Sequence, residues 1–192
     1  MSDTREGDLP AWRVEASRLV VDDRWLRVRA DDCVTAEGVR IAPFFVTEYP
    51  DWVIVVALDE AGDLLLVDQY RHGWGVTSRE LPTGAIDPED ADPIAAGQRE
   101  LLEETGFGGG AWRLAATLAP NPATQANRCH TVLATGVRRL AEPVDEPTER
   151  LRLSIRPVAE VIAQARSGAI VHAMHVAALA MALPQHWAAP LD

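Results

Sequence analysis

From Trp12 onward, apolar and polar side chains alternate in short runs. Trp12 to Val21, Trp25 to Ala30, Cys33 to Ala36 and Val39 to Thr47 are all rich in β-branched and aromatic residues. Alternation with a period of two puts successive side chains on opposite faces of a strand, and the Asp22-Asp23 and Glu37-Gly38 pairs supply turns. An N-terminal antiparallel sheet of about three strands is expected over residues 11–48. Residues 1–10 are polar, contain Gly and Pro, and read as a disordered start.

Beyond residue 49 the pattern changes. Trp52 to Leu58 and Leu64 to Val67 are nearly unbroken apolar runs around Asp59-Glu60-Ala61-Gly62-Asp63, which predicts a hairpin of buried strands. Further strands are expected over Trp112 to Leu118, following the Gly108-Gly109-Gly110 turn, over Thr131 to Thr135, and over Leu151 to Ile155. Helical signals alternate with them. Asp92 suits an N-cap, Pro93 the first helical position and Gly106 a left-handed end, so a helix is predicted between them. Pro157 to Ser167, ending at Gly168, reads as a second helix. Ala169 to Leu183 reads as a third, apolar nearly all round and therefore buried against the sheet or a partner subunit. Strands and helices mix, so the fold class is α/β (α+β).

Composition narrows the function. A chain of 192 residues, 47% hydrophobic and 24% charged, is globular and accommodates one domain with a small appendage. Its net charge of -11, with no basic stretch to offset it, excludes a general nucleic-acid binder. Cys33 and Cys129 form neither a disulfide framework nor a metal-ligand spacing and read as buried reduced thiols. No basic-then-apolar leader opens the chain, and the apolar run Val176 to Leu183 is too short to span a bilayer. A cytoplasmic protein is expected, with no membrane and no nucleic-acid partner.

The chemistry concentrates in the helix between Asp92 and Gly106. Glu100, Glu103 and Glu104 fall at i, i+3 and i+4, so three carboxylates share one face. Like charges at this spacing repel by roughly 0.2–0.5 kcal/mol per pair, and the helix dipole disfavours them further in the last turn. A compensating positive charge is called for. Clustered carboxylates suit a hard divalent cation, and Mg²⁺ in particular is held by a few carboxylates together with substrate phosphates.

The run Arg99-Glu100-Leu101-Leu102-Glu103-Glu104-Thr105-Gly106-Phe107 resembles the end of the Nudix box. The family pattern is Gly, five residues, Glu, seven residues, Arg-Glu, an aliphatic, any residue, Glu-Glu, any residue, Gly, and an aliphatic or similar. Gly84 matches the opening glycine, but Arg99 follows it one position late, so the loop carries an inserted residue. Counted forward from Gly84 the early acidic residue is Asp90; counted back from Arg99 it is Ala91; the nearest glutamate is Glu89. In the family this residue braces the loop through the arginine.

The resemblance implies a Nudix fold, a mixed curled sheet sandwiched between helices, over residues 49–192. The N-terminal sheet resembles the dimerisation subdomain of ADP-ribose pyrophosphatase-like relatives, which implies a homodimer. Implied metal ligands are Glu100, Glu103, Glu104 and the Thr83 carbonyl, with Mg²⁺, or Mn²⁺ in its place, as cofactor. Arg71, in Gln69-Tyr70-Arg71, resembles the subgroup's arginine and would contact the diphosphate, for which a guanidinium fork is well shaped. Glu80 reads as a substrate-side group or as half of a strand-end ion pair. In the proline-bounded loop Pro120 to His130, Gln125, Asn127 and Arg128 resemble sugar or phosphate contacts, and His130 reads as a structural histidine. The acidic loop Glu142 to Arg150 resembles one that supplies a catalytic glutamate, with Glu149 the first choice and Glu146 the second, beside Glu103 and Glu104. His172 and His175 lack a third ligand and read as core or interface residues.

The implied activity is metal-dependent cleavage of a nucleoside diphosphate sugar, ADP-ribose-like or GDP-mannose-like, to a nucleoside monophosphate and a sugar phosphate. Two alternatives stand beside it: a non-catalytic Nudix-fold sensor of such a ligand, and a nucleoside triphosphate pyrophosphatase. The intact Arg-Glu and Glu-Glu pairs favour an enzyme, while the loop insertion is the one box feature that favours a sensor.

Overall fold

The computed structural model describes residues 9–24, 26–144 and 150–187. The chain divides into two compact units. The residues up to Tyr49 together with Asn121–Asn127 form the first, and Pro50–Pro120 with the chain from Arg128 onward forms the second.

In the first unit, β1 (Arg13–Asp22), β2 (Arg27–Val34) and β3 (Arg40–Glu48) form an antiparallel sheet in the order β1-β2-β3. The runs Trp25 to Ala30 and Cys33 to Ala36, expected as separate strands, fall largely on the single strand β2. The Asp31 carboxylate, almost fully buried, accepts from Ser17 Oγ (2.6 Å) and Arg29 Nε (2.9 Å) and ties the middle of the sheet together. The segment Asn121–Asn127 joins β3 at its end, where Thr47 donates its N–H to the Thr124 carbonyl (2.7 Å) and a parallel bridge links Thr47 to Gln125.

The second unit is a mixed sheet covered by helices on both faces. Its strands are β4 (Trp52–Asp59), β5 (Leu64–Arg71), β6 (Val76–Glu80), β7 (Thr83–Ala85), β8 (Phe107–Gly108), β9 (Ala111–Leu118), β10 (Cys129–Arg139) and β11 (Leu151–Arg156). The central order is β11-β5-β4-β10-β8, with β4 and β10 parallel and β9 on the edge of β10. The helices are α1 (Pro93–Thr105), α2 (Val158–Arg166), α3 (Ala173–Ala182) and the short α4 (Pro184–Trp187).

Residues of β4 alternate between two cores. Ile54 and Val56 pack with Leu64, Leu66 and the apolar faces of α2 and α3; Val53, Val55 and Ala57 pack with Leu65, Val132 and the α1 residues Ala96 and Leu101. Period-two alternation in a run apolar at every position is what a strand buried on both faces requires. Gly97 lets α1 approach closely, because a Cβ there would stand 2.8 Å from Val132 Cγ2.

The expected hairpin of β4 and β5 pairs only beside its turn, through Leu58 and Leu64. Past that point the strands splay, and β6 and β7 fill the gap, β6 along Val67–Arg71 and β7 along Trp52–Ile54. Pro82, between them, accepts from Val55 N–H (2.8 Å). The third helix also differs from expectation. It begins at Ala173 rather than Ala169, because the His172 side chain caps it by accepting from Met174 N–H (3.2 Å).

Candidate active site

The segment that fills the splayed hairpin carries Glu80, Thr83 and Gly84 within five consecutive positions, and α1 lies across it. The ends of α1 follow from its sequence. Asp92 accepts from the Ile94 and Ala95 N–H groups (2.9 Å each), and Gly106 closes the helix in the left-handed region at φ 75°. A side chain at Gly106 would also meet the Ala141 carbonyl at 2.1 Å.

Two of the three α1 carboxylates converge on one corner. Glu104 is buried and accepts from the Thr83 N–H (3.2 Å). Glu100 lies directly over Gly84, where an added Cβ would stand 2.0 Å from the Glu100 carboxyl carbon. The glycine is therefore required for close approach, and its dihedral angles are ordinary. Glu103, about half exposed, turns outward to Arg99 Nη1 (3.1 Å). The Thr83 hydroxyl donates to the Val53 carbonyl (2.7 Å) and anchors the corner to β4.

Arg99 braces the loop ahead of the helix. It donates to Asp90 from Nε (3.3 Å) and Nη2 (2.9 Å), to the Ala85 carbonyl (3.0 Å) and to Glu100 (2.8 Å). Of the three positions open for the early acidic residue, Asp90 is the one on the arginine, and Glu89 is exposed. The inserted residue thus falls between Asp90 and Arg99. Hydrogen bonding by Arg99 holds the Asp90 carboxyl below the usual carboxylate range, against its burial. The same network raises the Arg99 pKa.

At the end of β5, Arg71 donates from Nε to Glu80 Oε1 (3.0 Å) and from Nη2 to Glu80 Oε2 (2.6 Å). Glu80 is fully enclosed, whereas the Arg71 side chain is more than a third exposed. Burial pushes the Glu80 carboxyl up, but Arg71 hydrogen bonding and the surrounding charges outweigh it and leave the pKa lowered. Behind Glu80, His175 of α3 accepts from Leu81 N–H at Nδ1 (2.9 Å) and faces Glu80 Oε2 with Nε2 at 3.5 Å. The sequence reads His175 as a core or interface residue, and it is fully buried in the core, but nothing along the chain connects it with the distant Glu80.

The remaining candidates belong to other segments of the chain. Gln125 and the buried Asn127 belong to the first unit. Arg128 belongs to the second, where its N–H donates to Asp51 (2.7 Å) and its side chain is exposed. His130 contacts Thr117 Oγ1 (3.0 Å). Glu146 and Glu149 lie outside the described residues.

No three His, Cys, Asp or Glu side chains among the described residues gather closely enough to hold a metal ion by themselves. The donors at the Thr83–Gly84 corner are nonetheless all oxygen, and Gly84 leaves Glu100 room beside Glu104, which fits a hard divalent ion completed by substrate oxygens.

A helix-sandwiched mixed sheet with an Arg-Glu-x-x-Glu-Glu helix folded back on a glycine corner defines a Nudix-type hydrolase. The NUDIX domain family matches residues 48–173, and the nucleoside diphosphate sugar hydrolase N-terminal domain matches residues 12–47. The chain belongs to the Nudix family. It is 31% identical over 147 residues to an ADP-ribose pyrophosphatase of Mycobacterium tuberculosis, covering 76% of this chain and 71% of that protein. It is 30% identical over 160 residues to a CMP-5'-(N-acetyl-N-hydroxy-3-aminopropyl)phosphonate hydrolase of Streptomyces rubellomurinus, covering 83% of this chain and 76% of the relative. The crystal structure of an ADP compounds hydrolase matches the fold with a TM-score of 0.80 at 24% identity, over 95% of this chain and 96% of that one. Hydrolases of this family use divalent metal ions.

Proposed function

We propose that the protein hydrolyses the diphosphate of a nucleoside diphosphate sugar, ADP-ribose-like or GDP-mannose-like, to a nucleoside monophosphate and a sugar phosphate. One observation carries this reading. The segment between β6 and β7 presents, within five positions, the carboxylate that holds Arg71 and the Thr83–Gly84 corner that gathers Glu100 and Glu104. A guanidinium for a diphosphate is thereby set on the same rigid insert as oxygen donors for a cation.

Glu100, Glu104 and the Thr83 carbonyl, with Glu103, would hold Mg²⁺, or Mn²⁺ in its place. Bound there, the metal supplies Lewis acidity and neutralises diphosphate charge. Arg71 grips the diphosphate, and Glu80 aims its guanidinium before the substrate arrives. Water attacks one phosphorus in line, the bridging P–O bond breaks, and the departing phosphate takes the electron pair. A carboxylate takes the proton from the water: Glu149 or Glu146, or one of the box glutamates. Gln125, Asn127 and Arg128 are the residues assigned to the sugar or its phosphate. The Asp90 brace on Arg99 accommodates the inserted residue, which removes the one feature that favoured a sensor.

We also assign residues 11–48 to dimerisation and 49–192 to catalysis. Every residue of β1 is exposed, including Val14, Leu19, Val20 and Val21, as is Trp12 just ahead of it, and a second copy of the chain would cover these apolar side chains. A mass near twice 20.9 kDa by light scattering is the expected result. The two free cysteines suit a reducing compartment, in keeping with a cytoplasmic location. No described helix is long and apolar enough to cross a membrane.

The test is phosphate-release coupled turnover, with Mg²⁺ and then Mn²⁺, on ADP-ribose, ADP-glucose, GDP-mannose, UDP-glucose, FAD, NADH and the nucleoside triphosphates. Metal-dependent cleavage of one diphosphate sugar well above the rest is expected. Binding without turnover across the panel would make the protein a sensor, and preference for triphosphates would make it a triphosphate pyrophosphatase.

A further inference from the structure

Among the described residues, His175 Nε2 is a buried ring nitrogen without a hydrogen-bond partner. Its protonation follows from its neighbours. Nδ1 accepts from the Leu81 N–H (2.9 Å), so in the neutral ring the proton sits on Nε2 and points toward Glu80 Oε2, 3.5 Å away. Burial, with His172 beside it, holds the His175 pKa down at about 3, so the ring is neutral near pH 7. Packing fixes its plane. The His172 ring stands edge-on at 4.4 Å between centroids, and Trp52 covers the pair at 5.6 Å from His172 and 6.4 Å from His175.

A donor left without a partner in a buried site is destabilising, and a hydrophobic side chain would fill the same space without that cost. The imidazole does two things such a side chain cannot. It ties the backbone just ahead of the Thr83–Gly84 corner, and it stands behind the carboxylate on which Arg71 is mounted.

We propose that His175 is a positioning residue for the diphosphate site, acting through Glu80 on Arg71 and through Leu81 on the metal-binding corner. This rests on the reading in which Arg71 grips the diphosphate. Glu80 Oε2 takes Arg71 Nη2 at 2.6 Å and faces His175 Nε2 on its other side. When a diphosphate draws the guanidinium outward, the Nε2–H, beside the Ser78 hydroxyl, is a donor at hand for the oxygen that Arg71 relinquishes. The buried carboxylate then stays satisfied in both states, and the guanidinium moves without stranding a buried charge.

The two ring nitrogens are separable by substitution. His175→Asn keeps an acceptor at the Nδ1 position for Leu81 and has nothing at Nε2; His175→Gln keeps a donor at the Nε2 position and loses the Leu81 bond. With the diphosphate sugar that wild type cleaves best, we expect KM in H175N to rise on the order of tenfold with kcat nearly unchanged, the signature of weakened ground-state grip. H175Q should raise KM less, whatever the relative melting temperatures of the two variants. Equal KM increases that track lost stability would overturn the proposal, leaving His175 a packing residue. Arg71→Ala separates the two readings. If R71A leaves KM unchanged, the assignment of Arg71 is wrong and the inference falls with it; if R71A raises KM and H175N does not, the inference alone falls. Should neither His175 variant fold, ¹⁵N NMR of the wild-type protein decides. An Nε2–H tautomer whose proton shifts downfield on adding a methylene-bridged, non-hydrolysable ADP-ribose analogue is expected, and an unmoved signal with the analogue bound would overturn it.

Discussion

Asp90 meets Arg99 with both carboxylate oxygens, Oδ1 3.3 Å from Nε and Oδ2 2.9 Å from Nη2. This two-point contact pins the loop between Gly84 and α1 from its far side. Asp90→Ala should release the loop, cost about 1 kcal/mol, lower Tm by roughly 2–4 °C and reduce turnover about tenfold. Glu89→Ala, at the exposed neighbour, should change neither. Thermal melts and steady-state assays of the pair check this, and equal effects would remove Asp90 from the brace.

Gly84→Ala tests the carboxylate corner. The new methyl carbon would have to share space with the Glu100 carboxyl, 2.0 Å away, so either Glu100 swings out or β7 lifts from β4. Turnover should fall by about two orders of magnitude, the upper range for a displaced supporting group. Gly73→Ala is the control, since nothing lies within 4 Å of a Cβ there. Its activity should match wild type.

These sites show which parts of the structure were legible in the chain. The ends of α1 were, because Asp92, Pro93 and Gly106 each act on the backbone beside them. The start of α3 was not: an apolar run marks burial but not the first helical residue, and the His172 cap overrides it. Strands β6 and β7 escaped because each is short and does not alternate, and they form where β4 and β5 diverge. The box spacing located Glu100, Glu103 and Glu104 on one helix, whereas the division between two that turn inward and one that turns outward needed the position of Arg99 and β7. The contact of His175 with Glu80 joins distant segments and leaves no local trace.

Removing metal should abolish turnover, and the box glutamates should differ in how far excess metal rescues them. Glu104 points inward at Thr83 and Glu103 outward at Arg99. Glu104→Gln should raise the Mg²⁺ concentration for half-maximal activity about 10- to 100-fold, with Glu103→Gln shifting it less. Mg²⁺ titrations of both variants after EDTA treatment read this directly. Unchanged titration curves in both would move the metal away from α1.

A last prediction concerns acid stability, and it turns on an ion-pair cluster on β5. Asp68 of β5 is buried and accepts from Arg79 Nε (3.0 Å) and Nη2 (3.3 Å) and from Arg152 Nη2 (2.9 Å), joining β5 to β6 and β11. Burial pushes its pKa up, but hydrogen bonds and charge from Arg79 and Arg152 outweigh it and leave the folded-state value below the ordinary one. The unfolded chain therefore takes up this proton first as pH falls. The stabilisation from Asp68 is fully present above the unfolded value of about 3.9 and is lost as pH drops through the lower folded value. Asp68→Asn should cost roughly 1–3 kcal/mol at pH 7, because two guanidinium groups lose their shared acceptor charge. The difference from wild type should shrink as pH falls below about 3.9, where the wild-type carboxylate is itself being neutralised. Urea midpoints of the two proteins between pH 7 and pH 3 measure it, and a gap that stays constant over that range would mean the ion pairs contribute nothing to the acid limb.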